Sequence, residues 1–65
     1  MNIRRNLTNA ELWQSMIEAE QRKGDNALPI DVRVKWFQTY TMCLREAHRR
    51  GLDYAALRED VARNA

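Results

Sequence analysis

The sequence contains few of the residues that form disulfides and tight turns. Cysteine occurs once, proline once and glycine twice in 65 residues. A single cysteine, Cys43, forms no intrachain disulfide, which excludes a disulfide-stapled secreted miniprotein and favours a reducing, cytoplasmic location. The scarcity of turn-forming residues, together with few β-branched residues outside 30–34, argues against a sheet.

Long apolar runs and strong net charge are also missing. No stretch approaches the roughly 18 apolar residues of a membrane span, so we predict no membrane partner. The net charge of +2 is too mild to make nucleic-acid binding the default interpretation. With 45% apolar and 31% charged residues, the composition predicts one folded domain over residues 1–65.

The first helix has clear start and stop signals. Thr8 to Glu11 has the form of a capping box, in which each residue's side chain binds the other's backbone N–H. The apolar periodicity that follows predicts a helix near 8–23, closed by Gly24 as a left-handed cap. Residues 1–6 have no such pattern and are predicted to form a flexible arm.

Two further helices complete a predicted all-α, three-helix fold. Pro29 suits the first turn of a long central helix near 29–50, which the short connection places in an antiparallel hairpin with the first helix. Gly51 ends that helix, and Asp53 caps a short third helix near 53–63. The alternation of apolar residues leaves a strand over 30–34 as the alternative.

The central helix divides into an apolar arc and a basic side. At about 100° per residue, one arc contains Trp36, Phe37, Tyr40, Cys43, Leu44 and Ala47. The opposite side carries five residues that we call the stripe: Lys35, Gln38, Met42, Arg45 and Arg49. The predicted core is Leu12, Trp13, Met16, Ile17, Trp36, Phe37, Tyr40, Leu44, Ala47, Leu57 and Val61. In this register Phe37→Ala should cost about 3–5 kcal/mol, and Gln38→Ala almost nothing.

No pattern in the sequence is typical of catalysis or of metal binding. Cys43 and His48 stand five residues apart, on different sides of a helix, and no second cysteine or histidine completes a zinc site. Glycine-rich phosphate loops and paired catalytic acids are missing too. We therefore predict that the protein is not an enzyme and needs no cofactor.

The stripe is the leading candidate for a binding surface. Segment 29–50 carries a net charge of +3, and the stripe's spacing places its side chains in one row. A flexible methionine within a polar row is typical of interaction surfaces. We therefore expect an adaptor or inhibitor that contacts a larger protein or nucleoprotein assembly. The alternative is a solvated face, because Asp31 with Lys35, and Glu46 with Arg50, have the spacing of helical ion pairs.

Two other hypotheses come from different parts of the chain. Ala47, Gly51, Leu52 and Leu57 resemble the pattern of helix-turn-helix DNA-binding motifs, although Asp60 stands where that motif has an apolar residue. The resemblance implies a DNA-binding regulator, with a nucleic-acid site formed by Arg4, Arg5, Arg50, Arg58 and Arg63. Alternatively, the wide apolar arc of the central helix favours a homodimer and a structural oligomerisation role.

Overall fold

Three α-helices form the described part of the chain, residues 6–64 of a computed structural model. Helix α1 spans Asn9–Lys23, α2 spans Ile30–Arg49 and α3 spans Tyr54–Arg63. The predicted all-α class is confirmed, and each predicted helix starts at the residue that proves to be the N-cap. Segment 30–34 is helical, so the alternative strand is wrong. Apart from Asn6, the predicted arm with Arg4 and Arg5 lies outside the described residues.

Local side-chain hydrogen bonds begin two of the helices. The Thr8 amide donates to Glu11 Oε1 at 2.9 Å, and the Glu11 amide donates to Thr8 Oγ1 at 3.1 Å, which confirms the capping box. At α3, the Asp53 carboxylate accepts from the Ala56 amide at 2.7 Å. Pro29 caps α2 without a side-chain hydrogen bond, so α2 depends more on its packing against α1 than on its cap.

The two glycines end their helices in different ways. Gly51 has a φ of +78°, a left-handed conformation that glycine adopts at little cost. Gly24 has a φ of −103°, so the left-handed cap predicted there is wrong. The chain turns instead through Asp25, whose amide donates to the Arg22 carbonyl and whose carboxylate accepts from the Ala27 amide. This side-chain turn redirects the chain after α1 without the positive φ that was expected at Gly24.

The core lies where all three helices meet. Helix α1 packs strongly against α2, and the short α3 contributes Leu57 to the same core. The fully buried apolar side chains are Leu12, Met16, Ala19, Cys43, Ala47 and Leu57. Trp13, Tyr40, Leu44 and Val61 are partly buried and pack against this cluster, as predicted. None of the described helices is both long and apolar enough to cross a lipid bilayer.

The two tryptophans contact residues of neighbouring helices. The Trp13 ring lies 5.0 Å from the ring of Tyr54, centroid to centroid, which joins α1 to α3. At the other end of the hairpin, the Arg22 guanidinium lies 5.2 Å from the Trp36 ring centroid. This cation–π contact joins the C-terminal end of α1 to α2.

One predicted core residue, Phe37, is exposed. Its side chain is 58% exposed, and the buried side of α2 includes the polar residues Thr39 and Glu46. The buried face of α2 is therefore rotated by roughly 60° about the helix axis from the apolar arc predicted from the sequence. Burial of Thr39 is tolerated because its hydroxyl donates to the Lys35 carbonyl at 3.2 Å. Glu46 is tolerated because two arginines bind its carboxylate.

Candidate functional site

The stripe runs along α2 on a side of the helix that does not face the core. Four of its residues, Lys35, Gln38, Arg45 and Arg49, are exposed, and Met42 is partly buried. Their spacing of three or four residues places them in a single row. The structure therefore brings the predicted residues together, and their function as a binding surface stays a prediction.

The charged residues of the stripe differ in whether they form an ion pair. Arg49 donates to Glu46 through Nε at 2.9 Å and through a terminal nitrogen at 2.7 Å. The side chains of Lys35 and Arg45 make no hydrogen bond or ion pair within residues 6–64. Of the two helical ion pairs expected from the sequence, Glu46 with Arg50 forms there and Asp31 with Lys35 does not. The unpaired cations of the stripe thus lie on either side of Met42.

An exposed apolar row lies beside the stripe. Ile30 is 66% exposed, Val34 is 47% exposed and Phe37 is 58% exposed. We call these three residues the apolar edge. Their i, i+4, i+7 spacing was the signal that could have identified the edge from the sequence. Large apolar side chains clustered on a surface commonly mark an interaction site.

A surface hollow lies between the apolar edge and the stripe. Its volume is about 410 Å³, and its lining is Phe37, Gln38, Thr41, Met42 and Arg45. The last four have the i, i+3, i+4, i+7 spacing of the holes that receive a side chain from a neighbouring helix. On the other side of Gln38 lies a hollow of about 460 Å³, which includes Val32, Lys35 and Trp36. This side of α2 therefore offers both charge and recesses.

The C-terminal end of α2 belongs to a polar network that joins all three helices. Arg50 donates to Glu46 Oε2 at 2.7 Å and to Asn9 Oδ1 at 2.8 Å, and the Asn9 amide donates to Asp60 at 2.8 Å. Hydrogen bonds from Arg49 and Arg50 lower the pKa of Glu46 to about 2. The network therefore joins α1, α2 and α3 through part-buried polar side chains.

This network involves two residues of the predicted helix-turn-helix region, Arg50 and Asp60. The side chain of Arg50, a predicted nucleic-acid contact, is only 14% exposed. Asp60 occupies the position of the motif's apolar residue and binds Asn9 there instead. Arg58 and Arg63 are exposed on α3, with Arg63 at 3.9 Å from the Asp60 carboxylate. Arg4 and Arg5 lie outside the described residues, so the structure does not bring the five arginines together.

Cys43 and His48 lie in unlike environments. Cys43 is fully buried in the core, and burial raises the pKa of its thiol to about 11. His48 is exposed. Among residues 6–64, no three His, Cys, Asp or Glu side chains are placed to hold a metal ion together.

Comparisons with known proteins leave the surface to be interpreted from its own chemistry. No protein-family model matches the sequence, and no curated protein or solved structure is significantly similar to it. The stripe, the apolar edge and the hollow between them are therefore the features on which a function can be argued.

Proposed function

We propose that this protein is a non-catalytic binding protein, an adaptor or an inhibitor, that presents the stripe to an acidic surface of a larger protein or nucleoprotein assembly. The observation that carries the proposal is the pair of exposed cations, Lys35 and Arg45, which have no partner within residues 6–64 and lie on either side of Met42. A cytoplasmic location belongs to the same proposal and is supported by the buried free thiol of Cys43.

The physical basis is that unpaired charge is available to a partner, whereas paired charge is not. Arg49 already binds Glu46, so a partner would have to compete with that carboxylate. Lys35 and Arg45 lose no internal ion pair when they bind an acidic group, and exposed cations of this kind accelerate association with acidic surfaces. Met42 adds a flexible apolar contact between them.

A DNA-binding function is less well supported by the charges of α3. Arg58 and Arg63 are accompanied by Glu59 and Asp60, so α3 carries no net charge from these residues. Acidic groups beside the arginines oppose binding to phosphates. Arg50 is held by Glu46 and Asn9. We therefore place the acidic protein partner ahead of DNA.

Three charge reversals distinguish these functions. Lys35→Glu and Arg45→Glu each change an exposed cation of the stripe, and Arg58→Glu changes an exposed arginine of α3 by the same amount. Tagged wild type and the three variants would be used to capture proteins from host lysate, with circular dichroism to verify equal helix content. We expect Arg45→Glu and Lys35→Glu to lose the captured partner and Arg58→Glu to retain it.

The opposite result would assign the function to α3. A partner that is lost with Arg58→Glu and retained with both stripe variants contradicts the proposal. Fluorescence anisotropy with mixed-sequence duplex DNA at two salt concentrations provides the second measurement. Salt-sensitive binding that only Arg58→Glu weakens would favour the DNA-binding regulator.

A further inference from the structure

We propose that a second copy of this chain covers the apolar edge, with the two α2 helices antiparallel and Phe37 of each copy seated in the hollow of the other. The contact is a two-fold homodimer of defined register. The contact uses Met42 and Arg45 of the stripe and leaves the stripe cations Lys35 and Arg49 outside it, so it does not depend on the identity of the acidic partner.

The apolar edge begins a row with the spacing of a two-helix seam. Steps of four and three residues lead from Ile30 to Val34 and Phe37 and then onward along α2. This alternation keeps one row of a helix facing a neighbouring helix over several turns. The row continues with the partly buried Thr41 and the exposed His48, and between them with Leu44, whose partly buried side chain also packs against the core. The seam is therefore long enough for a second α2 to lie along it.

Phe37 and the hollow are complementary parts of one surface. The centre of the hollow, near Thr41 and Met42, lies about one helical turn beyond Phe37. When two identical helices run antiparallel with a two-fold axis level with residues 38–39, residue 37 of one copy lies opposite residues 39–41 of the other, within the span of the hollow. Each Phe37 then fills the hollow of the other copy, and the contact occurs twice, as two-fold symmetry requires.

Charge complementarity selects the same register. Asp31 and Arg45 each lie seven residues from Gln38, in opposite directions along α2. With the two-fold axis level with residues 38–39, Asp31 of one copy lies opposite residues 45–47 of the other, beside Arg45. Both side chains are exposed, and neither has an ion-pair partner within residues 6–64. A parallel arrangement would instead place Asp31 level with Asp31 and lose both attractive pairs.

The dimer also changes the surface offered to an acidic partner. In an antiparallel helix pair, the Gln38 sides of both copies lie on the same side of the seam. The stripe cations that stay outside the contact, Lys35 and Arg49, then form one wider basic surface across the two copies. Seating Phe37 in the seam explains how so exposed an aromatic side chain is compatible with a water-soluble assembly.

Sedimentation equilibrium over a wide range of protein concentration tests the dimer. We expect the wild type to dimerise and to dissociate on dilution, and Phe37→Asp to remain monomeric at every concentration. Ala55→Asp adds the same charge at an exposed position of α3 and should leave the dimer intact. A wild type that is monomeric throughout, or a dimer that survives Phe37→Asp, would overturn the proposal.

An exchange of charges tests the antiparallel register. Asp31→Arg and Arg45→Asp should each weaken dimerisation roughly tenfold, because each places like charges across both symmetric contacts. The double variant should recover wild-type association, since it inverts the pairs and keeps the net charge of +2. A double variant as weak as the single ones would show that this register is wrong. Circular dichroism of each variant separates these effects from loss of the helix.

Lys35→Glu keeps the two proposals separate. Lys35 belongs to the stripe and lies outside the seam, so this variant should lose the acidic partner and remain dimeric. Loss of the dimer in Lys35→Glu would contradict the seam, whereas retention of the captured partner would contradict the proposed function alone.

Discussion

The side-chain amide of Asn9 donates a 2.8 Å hydrogen bond to the carboxylate of Asp60, across 51 residues of chain. The amide oxygen of Asn9 accepts from Arg50, also at 2.8 Å. One asparagine in the first turn of α1 therefore connects the C-cap of α2 with α3. A side chain that can donate and accept at once is needed at this position.

Asn9→Ala should loosen α3. The substitution leaves Arg50 and Asp60 without their shared partner in a part-buried site, which costs about 1–3 kcal/mol of unfolding free energy. Urea denaturation followed by circular dichroism measures the loss. Gln14→Ala, at an exposed position of the same helix, should change stability by less than about 0.5 kcal/mol. Equal losses in the two variants would show that the network contributes nothing.

Acid should destabilise the fold partly through Glu46. The Arg49 and Arg50 hydrogen bonds lower the pKa of Glu46 from its ordinary value of 4.5 to about 2. Because the folded-state pKa is the lower one, the contribution is complete above pH 4.5 and is lost as the pH falls towards 2. Glu46→Gln should lower the melting temperature at pH 7 and flatten the decrease over that pH range.

Thermal unfolding from pH 7 to pH 2 measures this dependence. Glu59→Gln removes an exposed carboxylate of α3 that forms no ion pair within residues 6–64, so it should follow the wild-type profile. An identical acid profile for wild type and Glu46→Gln would contradict the assignment, because the arginine pairs could then not be the source of the pH dependence.

The helices could be predicted from the sequence because their signals are local. Thr8 and Glu11 cap each other within four residues, and Asp53 and Gly51 act on the turns next to them. The cap at Gly24 was mispredicted because Asp25 supplies a side-chain turn that makes a positive φ unnecessary. The fold class therefore follows from interactions between residues close in sequence. The path of a connection depends on which of the possible turns forms, here a side-chain turn at Asp25 and not a left-handed cap at Gly24.

The rotation of α2 could not be predicted from hydropathy alone. A wheel places Glu46 outward, whereas in the structure Arg49 and Arg50 neutralise it and allow it to face inward. Phe37 consequently moves to the surface and forms the apolar edge. The stripe residues still form a row, because i, i+3, i+4 spacing persists whichever way the helix turns. The hollow beside it depends on that rotation and so became visible only in three dimensions.

Phe37→Ala should be nearly neutral for the folded monomer. The side chain is 58% exposed, so at concentrations below dimerisation its loss should cost less than about 0.5 kcal/mol. Leu57→Ala removes a fully buried side chain of the core and should cost about 2–5 kcal/mol. Urea denaturation at matched low protein concentration makes the comparison. A comparable loss of stability in both variants would mean that Phe37 is buried in the core, and it would contradict the rotation of α2.

The two glycines allow one substitution to be tested at opposite signs of φ. A Cβ added at Gly51 or at Gly24 would meet no atom within 4 Å, so neither substitution creates a steric contact. Gly51→Ala should still cost about 1–2 kcal/mol, because alanine is strained at a φ of +78°. Gly24→Ala, at a φ of −103°, should stabilise the protein by about 0.4–1 kcal/mol by reducing the freedom of the unfolded chain.

Thermal and urea unfolding of both glycine variants decides between backbone strain and unfolded-state entropy. The side chain introduced is identical, and both sites are exposed, so a difference in sign between the two shifts can arise only from backbone conformation. Stabilisation by both substitutions would mean that the turn at Gly51 relaxes to a negative φ. Since that turn sets the angle at which α3 leaves α2, the Asn9 to Asp60 hydrogen bond should then weaken as well, and Asn9→Ala should cost less in the Gly51→Ala background than in the wild type.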